Sequence, residues 1–288
     1  MQPIFTHNLK PIDKERMMMN KLLLKAGILL ILLFSFVHAE DMKLTTVNGV
    51  PQVVKTGDVS LLNTAGKQRM LSQRIAKDYL YIGNKVAVSK ADKQLKASLG
   101  EFSTANKKLM TAINDPEIQN LLTFVQMSFD EFNDLIKQPF NLDNAQLALD
   151  LSESILEGSQ YVVDSLTGKM GHKDSEIVAK AGKQRMLAQR IAKYYIAYQS
   201  GIKDKNTVDQ MKEAVKTFSM NHQTLMKNPN NTPTINQKLA QIDKLWKIVY
   251  KFYLKIEKGG LPFIVFTTTD DITTKMDEIT KLYVSLYQ

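Results

Sequence analysis

The chain has 288 residues, 44% of them apolar and 23% charged, with a formal net charge of +9 and no cysteine. That length suffices for one or two domains with full cores, and the missing cysteine excludes a disulfide framework, a lipid anchor on cysteine and a cysteine nucleophile. The positive charge is spread along the sequence; no block of five or six like charges marks a nucleic-acid tail or a membrane patch, so no nucleic-acid partner is expected.

The first forty residues stand apart from the rest. Lys21 and Lys25 precede an uncharged run from 26 to 37, apolar but for Ser35, which ends in Val37-His38-Ala39 before Glu40-Asp41. A short basic region, a twelve-residue apolar core and small residues at the −3 and −1 positions read as a secretory signal peptide over 1–39. The run is shorter than the ~20 residues of a comfortable membrane span, so an uncleaved anchor is the alternative reading. Translation is expected to start at Met17, Met18 or Met19. Removing 1–39 takes away five Lys/Arg and two Asp/Glu, lowering the formal charge from +9 to +6. The mature protein, with a short extension over 40–54, is expected in the periplasm of a Gram-negative bacterium.

Beyond that extension the sequence repeats. AGKQRMLSQRIAK at 65–77 returns 116 residues later as AGKQRMLAQRIAK at 181–193, with only Ser72 against Ala188 different. At the same offset Tyr79 meets Tyr195, Phe102-Ser103 meets Phe218-Ser219 and Leu109-Met110 meets Leu225-Met226. One extra residue then restores the match: Ile118 with Ile235, Leu122 with Leu239, Val125 with Ile242, Phe129 with Trp246. Such self-similarity defines two structural units, 55–168 and 174–288.

Each unit reads as four helices. In the first, Asp58 caps a helix running to about 88, and a second covers about 91–114. Asp115-Pro116 is an N-cap followed by proline at the first helical position; that third helix ends near Gln138-Pro139. A fourth opens at 141–143 and fades at the glycines of Thr167-Gly168-Lys169-Met170-Gly171. In the second unit the breaks fall at 201–206, at Asn228-Pro229-Asn230-Asn231-Thr232-Pro233 and at Gly259-Gly260-Leu261-Pro262. The β-rich run 263–269 is the one stretch where residue preference argues against helix. The fold class predicted is all-α: two tandem four-helix up-down bundles.

On its helix the repeated box sets Leu62, Ala65, Arg69, Ser72, Ala76 and Tyr79 on one stripe, and Val178, Ala181, Arg185, Ala188, Ala192 and Tyr195 on the other. Small residues let a second helix come close, and an arginine among them loses water and needs an anion or a carboxylate. Gly66 and Gly182, one turn earlier, leave room for a backbone or a ligand. Met70, Leu71 and Ile75 cover the flank turned to the unit's own core, while Arg74 and Arg190 lie about 140° round the helix from the first arginines. A basic helical turn is usually a solvated face. Here the copies have diverged almost everywhere else, and a fold requirement would hold apolar type rather than Lys67, Gln68, Arg69, Gln73 and Arg74 letter for letter; a shared polar role explains the identity better.

The segment NTAGKQRMLSQR, 63–74, resembles the start of a PilJ-type sensory domain, found at the N-termini of type IV pilus chemotaxis transducers. It is also similar to the P box of the periplasmic sensor domain of NarX-type nitrate/nitrite histidine kinases. The resemblance covers nearly all of 55–288. It implies a four-helix bundle in which the box's first arginine, here Arg69 and Arg185, holds nitrate at a two-fold interface. Gly66, Gly182, Ser72, Arg74 and Arg190 occupy the box's other candidate ligand-binding positions. The second copy departs at Ala179-Lys180, against Asn63-Thr64, and at Ala188. Two bundles in one chain are then expected to imitate a homodimer, with Arg69 opposite Arg185 across a pseudo-two-fold axis and one planar anion between them.

Other chemistries find little footing. His172 and His222 lack ligand-like spacing to a second His or a carboxylate pair, and there is neither a phosphate loop nor a nucleophile elbow. Asp130-Glu131 and Asp270-Asp271 read as a solvated face and a helix cap; Phe124, Phe129, Phe132, Trp246, Tyr250 and Tyr253 read as core, and Tyr79 and Tyr195 as core or as a cover over a ligand. No enzymatic activity, metal or cofactor is expected. No kinase or methyl-accepting region is read before Gln288, so an exported sensor of a small inorganic anion, nitrate or nitrite, is expected to report to a membrane sensor histidine kinase or chemoreceptor. The alternative is a ligand-free helical scaffold whose basic boxes bind acidic partner surfaces.

Overall fold

The computed structural model describes residues 59–171 and 173–287. The signal segment, the start at Met17 to Met19, the extension 40–54, the cap at Asp58 and His172 lie outside the described residues.

Among the described residues eight α-helices follow one another: α1 Val59–Gly83, α2 Val88–Ala112, α3 Pro116–Leu135, α4 Leu142–Met170, α5 Lys173–Gln199, α6 Lys205–Met226, α7 Pro233–Tyr253 and α8 Pro262–Tyr287, with a 3-10 turn at Ile256–Lys258. The all-α expectation holds, with four helices per repeat. Their ends obey local chemistry. Asp115, Asn141, Asp204 and Thr232 each accept a hydrogen bond from the backbone N–H three residues on, at 3.1, 2.7, 2.7 and 3.3 Å, satisfying a donor that the first helical turn leaves free. Gly171 closes α4 in the left-handed region (φ 63°), its N–H on Thr167 O.

The run 263–269 is helical, against its residue preference. Val265, Phe266 and Thr269 are fully buried, and Thr267, Thr268 and Thr269 donate their hydroxyls to the carbonyls of Phe263, Ile264 and Val265 at 3.1, 2.8 and 2.7 Å. Burial of one face outweighs a propensity penalty of a few tenths of a kcal/mol per residue.

Within each repeat the helices pack as a ring, α1–α2–α3–α4 and α5–α6–α7–α8, each closed by contact of its first helix with its fourth. The largest interhelical contact joins the repeats: α1 lies along α5, and the described residues of both repeats belong to one compact unit. Both boxes therefore lie in the middle of the molecule. Phe129, Phe132, Trp246 and Tyr253 are core, as expected, but Phe124 is 41% exposed on the outer face of α3 and Tyr250 is half-buried.

Candidate functional site

Where α1 and α5 run together the two glycines meet. A side-chain carbon on Gly182 would lie 4.0 Å from Gly66 Cα, 3.3 Å from Arg185 Nη2 and 3.4 Å from Arg69 Nη2. One on Gly66 would lie 3.4 and 3.5 Å from the same two nitrogens. Both guanidinium groups thus end over one glycine–glycine contact. Arg69 is 1% exposed and Arg185 0%.

Each arginine reaches two helices. Arg69 donates Nη1 to Gln160 Oε1 of α4 at 2.7 Å and Nη2 to Ala179 O of α5 at 3.0 Å. Arg185 pairs Nη1 with Asp277 of α8 and donates Nη2 to Asn63 Oδ1 of α1 at 2.8 Å. Gln160 and Asp277 match at the offset of 117, Asn63 and Ala179 at 116, so the arrangement follows the pseudo-two-fold while its chemistry does not. The Nε of both arginines is buried without an acceptor. Burial, and then the nearby Arg185, lowers the Arg69 pKa to about 10, against the pull of Asp164. Burial also lowers that of Arg185, and Asp277 opposes it. Both remain cations at neutral pH, with one carboxylate in direct contact.

Ser72 is buried and donates to Arg69 O at 2.9 Å, holding the helix rather than facing the guanidinium groups. Arg190 is placed elsewhere, as the helical angle implies: it donates to Glu153 Oε2 and to Gln210 Oε1, both at 2.7 Å. Arg74 sits half-buried with its Nε unpartnered, and its charge acts on Asp78 and Asp270. Tyr79 packs on Phe140 with ring centroids 5.5 Å apart, and Tyr195 packs on Phe252 while its hydroxyl meets Gly260 O.

A second polar layer, which the sequence reading passed over, lies eight residues further along the box helices. Lys77 and Lys193 are fully buried. Lys77 Nζ donates to Asp270 Oδ1 at 2.9 Å and Gln94 Oε1 at 2.7 Å; Lys193 Nζ pairs with Glu153 and donates to Ser152 Oγ at 2.9 Å. Glu153 and Asp270 again match at 117, and each lysine takes the acid of the other repeat. Asp270 is not a helix cap: it is 7% exposed inside α8 and also accepts from Gln189 at 3.2 Å. Burial pushes its carboxyl up, but Lys77 and the hydrogen bonds more than offset this and hold it below the ordinary value. Burial lowers Lys193 to about 8 against the pull of Glu153. Asp78, fully buried beside Lys77, is raised by burial to about 7. The signal for this layer was present in the box, since both lysines are copied, but their acids stand on distant helices.

Among the described residues no group of three His, Asp or Glu side chains is placed to hold a metal ion, and no helix is long and apolar enough to cross a membrane. The arrangement can hold an anion: it offers converging cationic donors, some unused, cut off from water.

The comparisons with known proteins bear on the same two helices. The family model described as PilJ, "Type IV pili methyl-accepting chemotaxis transducer N-term", matches residues 54–152 and 169–256. The matched segments contain both boxes and stop short of Glu153, Gln160, Asp270 and Asp277. No curated protein and no solved structure matches the chain. With two matched segments covering more than half its length, one per repeat, the chain belongs to the PilJ family of N-terminal sensory domains of type IV pili chemotaxis transducers.

Proposed function

We propose that the protein is a periplasmic, non-catalytic sensor of a small planar oxyanion, nitrate or nitrite first, bound between Arg69 and Arg185 and reported to a membrane chemoreceptor or sensor histidine kinase. The observation that carries this reading is the pair of buried guanidinium groups ending over one glycine contact, each with an unpartnered Nε and with one carboxylate in contact between them. Two cations so placed repel, and a bridging anion removes the repulsion. Family membership supports the sensory role; the similarity of the box to NarX-type sensors suggests the ligand. Burial of Arg69 and Arg185 speaks against the alternative of a scaffold whose boxes bind acidic partner surfaces.

In the described state every bonded donor of the two arginines is taken by protein acceptors. An anion entering there exchanges with one of them: the neutral Gln160 on α4 is the acceptor that leaves, while Asp277 on α8 keeps its ion pair with Arg185. Those helices remain fastened at Glu153 and Asp270 by the buried lysines. Binding therefore shifts α4 relative to α8 about the fixed lysine layer, a two-state element that a partner can read.

Calorimetric titration of the purified full-length chain with nitrate, nitrite, chloride and sulfate tests the reading, repeated on Arg69→Ala and Arg185→Ala. Each charge-assisted hydrogen bond contributes about 1.5–3 kcal/mol, so each variant should lose at least tenfold in affinity. One anion per chain, lost in both variants, is the expected result. Two independent anions, each variant losing one, would rule out the shared site; no heat with any anion would rule out the sensor of oxyanions.

A further inference from the structure

The two arginines occupy matching positions, but their surroundings carry different charge. On the Arg185 side stand Asp277, in ion-pair contact, and both oxygens of Asn63, at 2.8 and 3.5 Å. On the Arg69 side the matching positions hold Gln160 and Ala179, a neutral amide and a residue with only its carbonyl to offer, at 2.7 and 3.0 Å. Gln160 is turned outward by donating its own Nε2 to Asp164 Oδ1 at 2.7 Å. Both departures from two-fold symmetry leave Arg69 as the less satisfied cation. Asp277 also pairs with Lys281 at 2.8 Å, but that lysine is exposed and its charge is spent in water.

We propose that Asp277 sets the charge of the ligand: the site accepts a singly charged anion, seated on the Arg69 side, and rejects a doubly charged one. This rests on the oxyanion reading above. Two guanidinium groups closed to solvent, and the one carboxylate in contact with them, leave a single uncompensated positive charge; Asp164, which acts on Arg69 from beyond Gln160, is exposed. A monoanion brings the layer to neutrality. A dianion leaves a buried negative charge, which the low-dielectric interior penalises heavily. Specificity here comes from a repulsive element built into one side of the site. Gln160 is the complementary device: as a neutral acceptor it holds Arg69 until the ligand replaces it, with no charge to compete.

The test is calorimetric titration of the full-length chain with nitrate and with sulfate in wild type, Asp277→Asn, Gln160→Glu and Glu278→Gln. The last removes a carboxylate from the exposed face of α8, where it pairs with Lys238, and serves as the control for net charge. Wild type and the control should bind nitrate and discriminate against sulfate. Asp277→Asn should shift the nitrate-to-sulfate preference toward sulfate by at least tenfold. Gln160→Glu should weaken nitrate binding at least tenfold, because the new carboxylate compensates Arg69 internally; the hydrogen bond to Asp164 is lost in the exchange. Unchanged selectivity in Asp277→Asn, or wild-type nitrate affinity in Gln160→Glu, overturns the proposal; should the first variant fail to fold, the second decides alone. Nitrate binding by wild type with unmoved selectivity sinks this inference and leaves the sensor reading standing, whereas no anion binding by wild type sinks both.

Discussion

Lys77 of the first repeat is hydrogen-bonded at 2.9 Å to Asp270 of the second, and Lys193 of the second is paired in return with Glu153 of the first. The exchange ties each fourth helix to the box helix of the opposite repeat, through two fully buried lysines; Asp270 is nearly buried too, while Glu153 keeps about a third of its side chain exposed. Removing one partner of a buried pair leaves the other charge stranded, at a cost of about 3–5 kcal/mol. Glu153→Gln should therefore destabilise the protein by about 3 kcal/mol in urea unfolding, since Lys193 keeps only the Ser152 hydroxyl and the face of Tyr194, and Arg190 keeps Gln210. The double variant Glu153→Leu, Lys193→Met, which removes the charges together, should recover more than half of that loss.

Asp78 makes stability depend on pH. Its carboxyl lies 3.2 Å from Lys77 Nζ, yet neither oxygen is in hydrogen-bonding geometry, and burial raises its pKa from 3.8 to about 7. The folded state keeps a proton there that the unfolded chain releases, so this group's contribution to stability is largest in acid and is lost as pH rises from about 4 to about 7. The slope is at most about 1.4 kcal/mol per pH unit. Comparing Asp78→Asn with wild type by urea unfolding at several pH values isolates it: the variant should gain on wild type steadily across that window. A constant difference would mean that the carboxyl does not titrate there.

Gly66 is not required by backbone strain. An alanine methyl would lie 3.4 and 3.5 Å from the two Nη2 atoms, in ordinary contact, and alanine in a helix interior is favoured over glycine by about 0.5–1 kcal/mol. Gly66→Ala should leave the melting temperature unchanged or raise it slightly, while the methyl occupies the gap between the guanidinium ends and weakens nitrate binding at least tenfold. At Gly182 the corresponding distance shortens to 3.3 Å, so its alanine variant should gain less stability.

The α1 face that carries the box is buried against α5, whose sequence there is nearly its own. A fragment covering residues 53–171 exposes that face. Sedimentation should find it dimeric or aggregated rather than monomeric, with Arg69→Ala altering the dimer, because two identical boxes can repeat the contact that the intact chain makes internally.

Much of this was legible in the letters, and the reason differs from feature to feature. Asp115-Pro116 and the opening at Asn141 mark helix starts because capping is a local hydrogen bond between a side chain and the third N–H beyond it; Asp204 and Thr232, inside breaks read only as ranges, cap in the same way. The convergence of Arg69 and Arg185 was readable because a polar stretch copied letter for letter, amid divergence, points to two surfaces that meet. The lysine layer was not: a lysine in a basic box looks solvated, and Glu153 and Asp270 reveal themselves as partners only once α4 and α8 are packed against the opposite box helices. Asp270 misled for a related reason, since two adjacent acids resemble a cap unless the preceding β-rich run is known to be helical. Phe124 followed the helical period yet faces outward, because α3 lies at the edge of its ring and buries only a narrow stripe.

The junction between Met170, where α4 ends, and Lys173, where α5 begins, joins the two halves of the central contact in one molecule. A receptor assembled from separate subunits must first find its second copy, so its occupancy follows its own abundance as well as that of the signal. Here the second half is always present at the high local concentration a short tether provides. On the sensor reading proposed above, the dose–response curve is set by the ligand and is indifferent to how many copies of the chain are made.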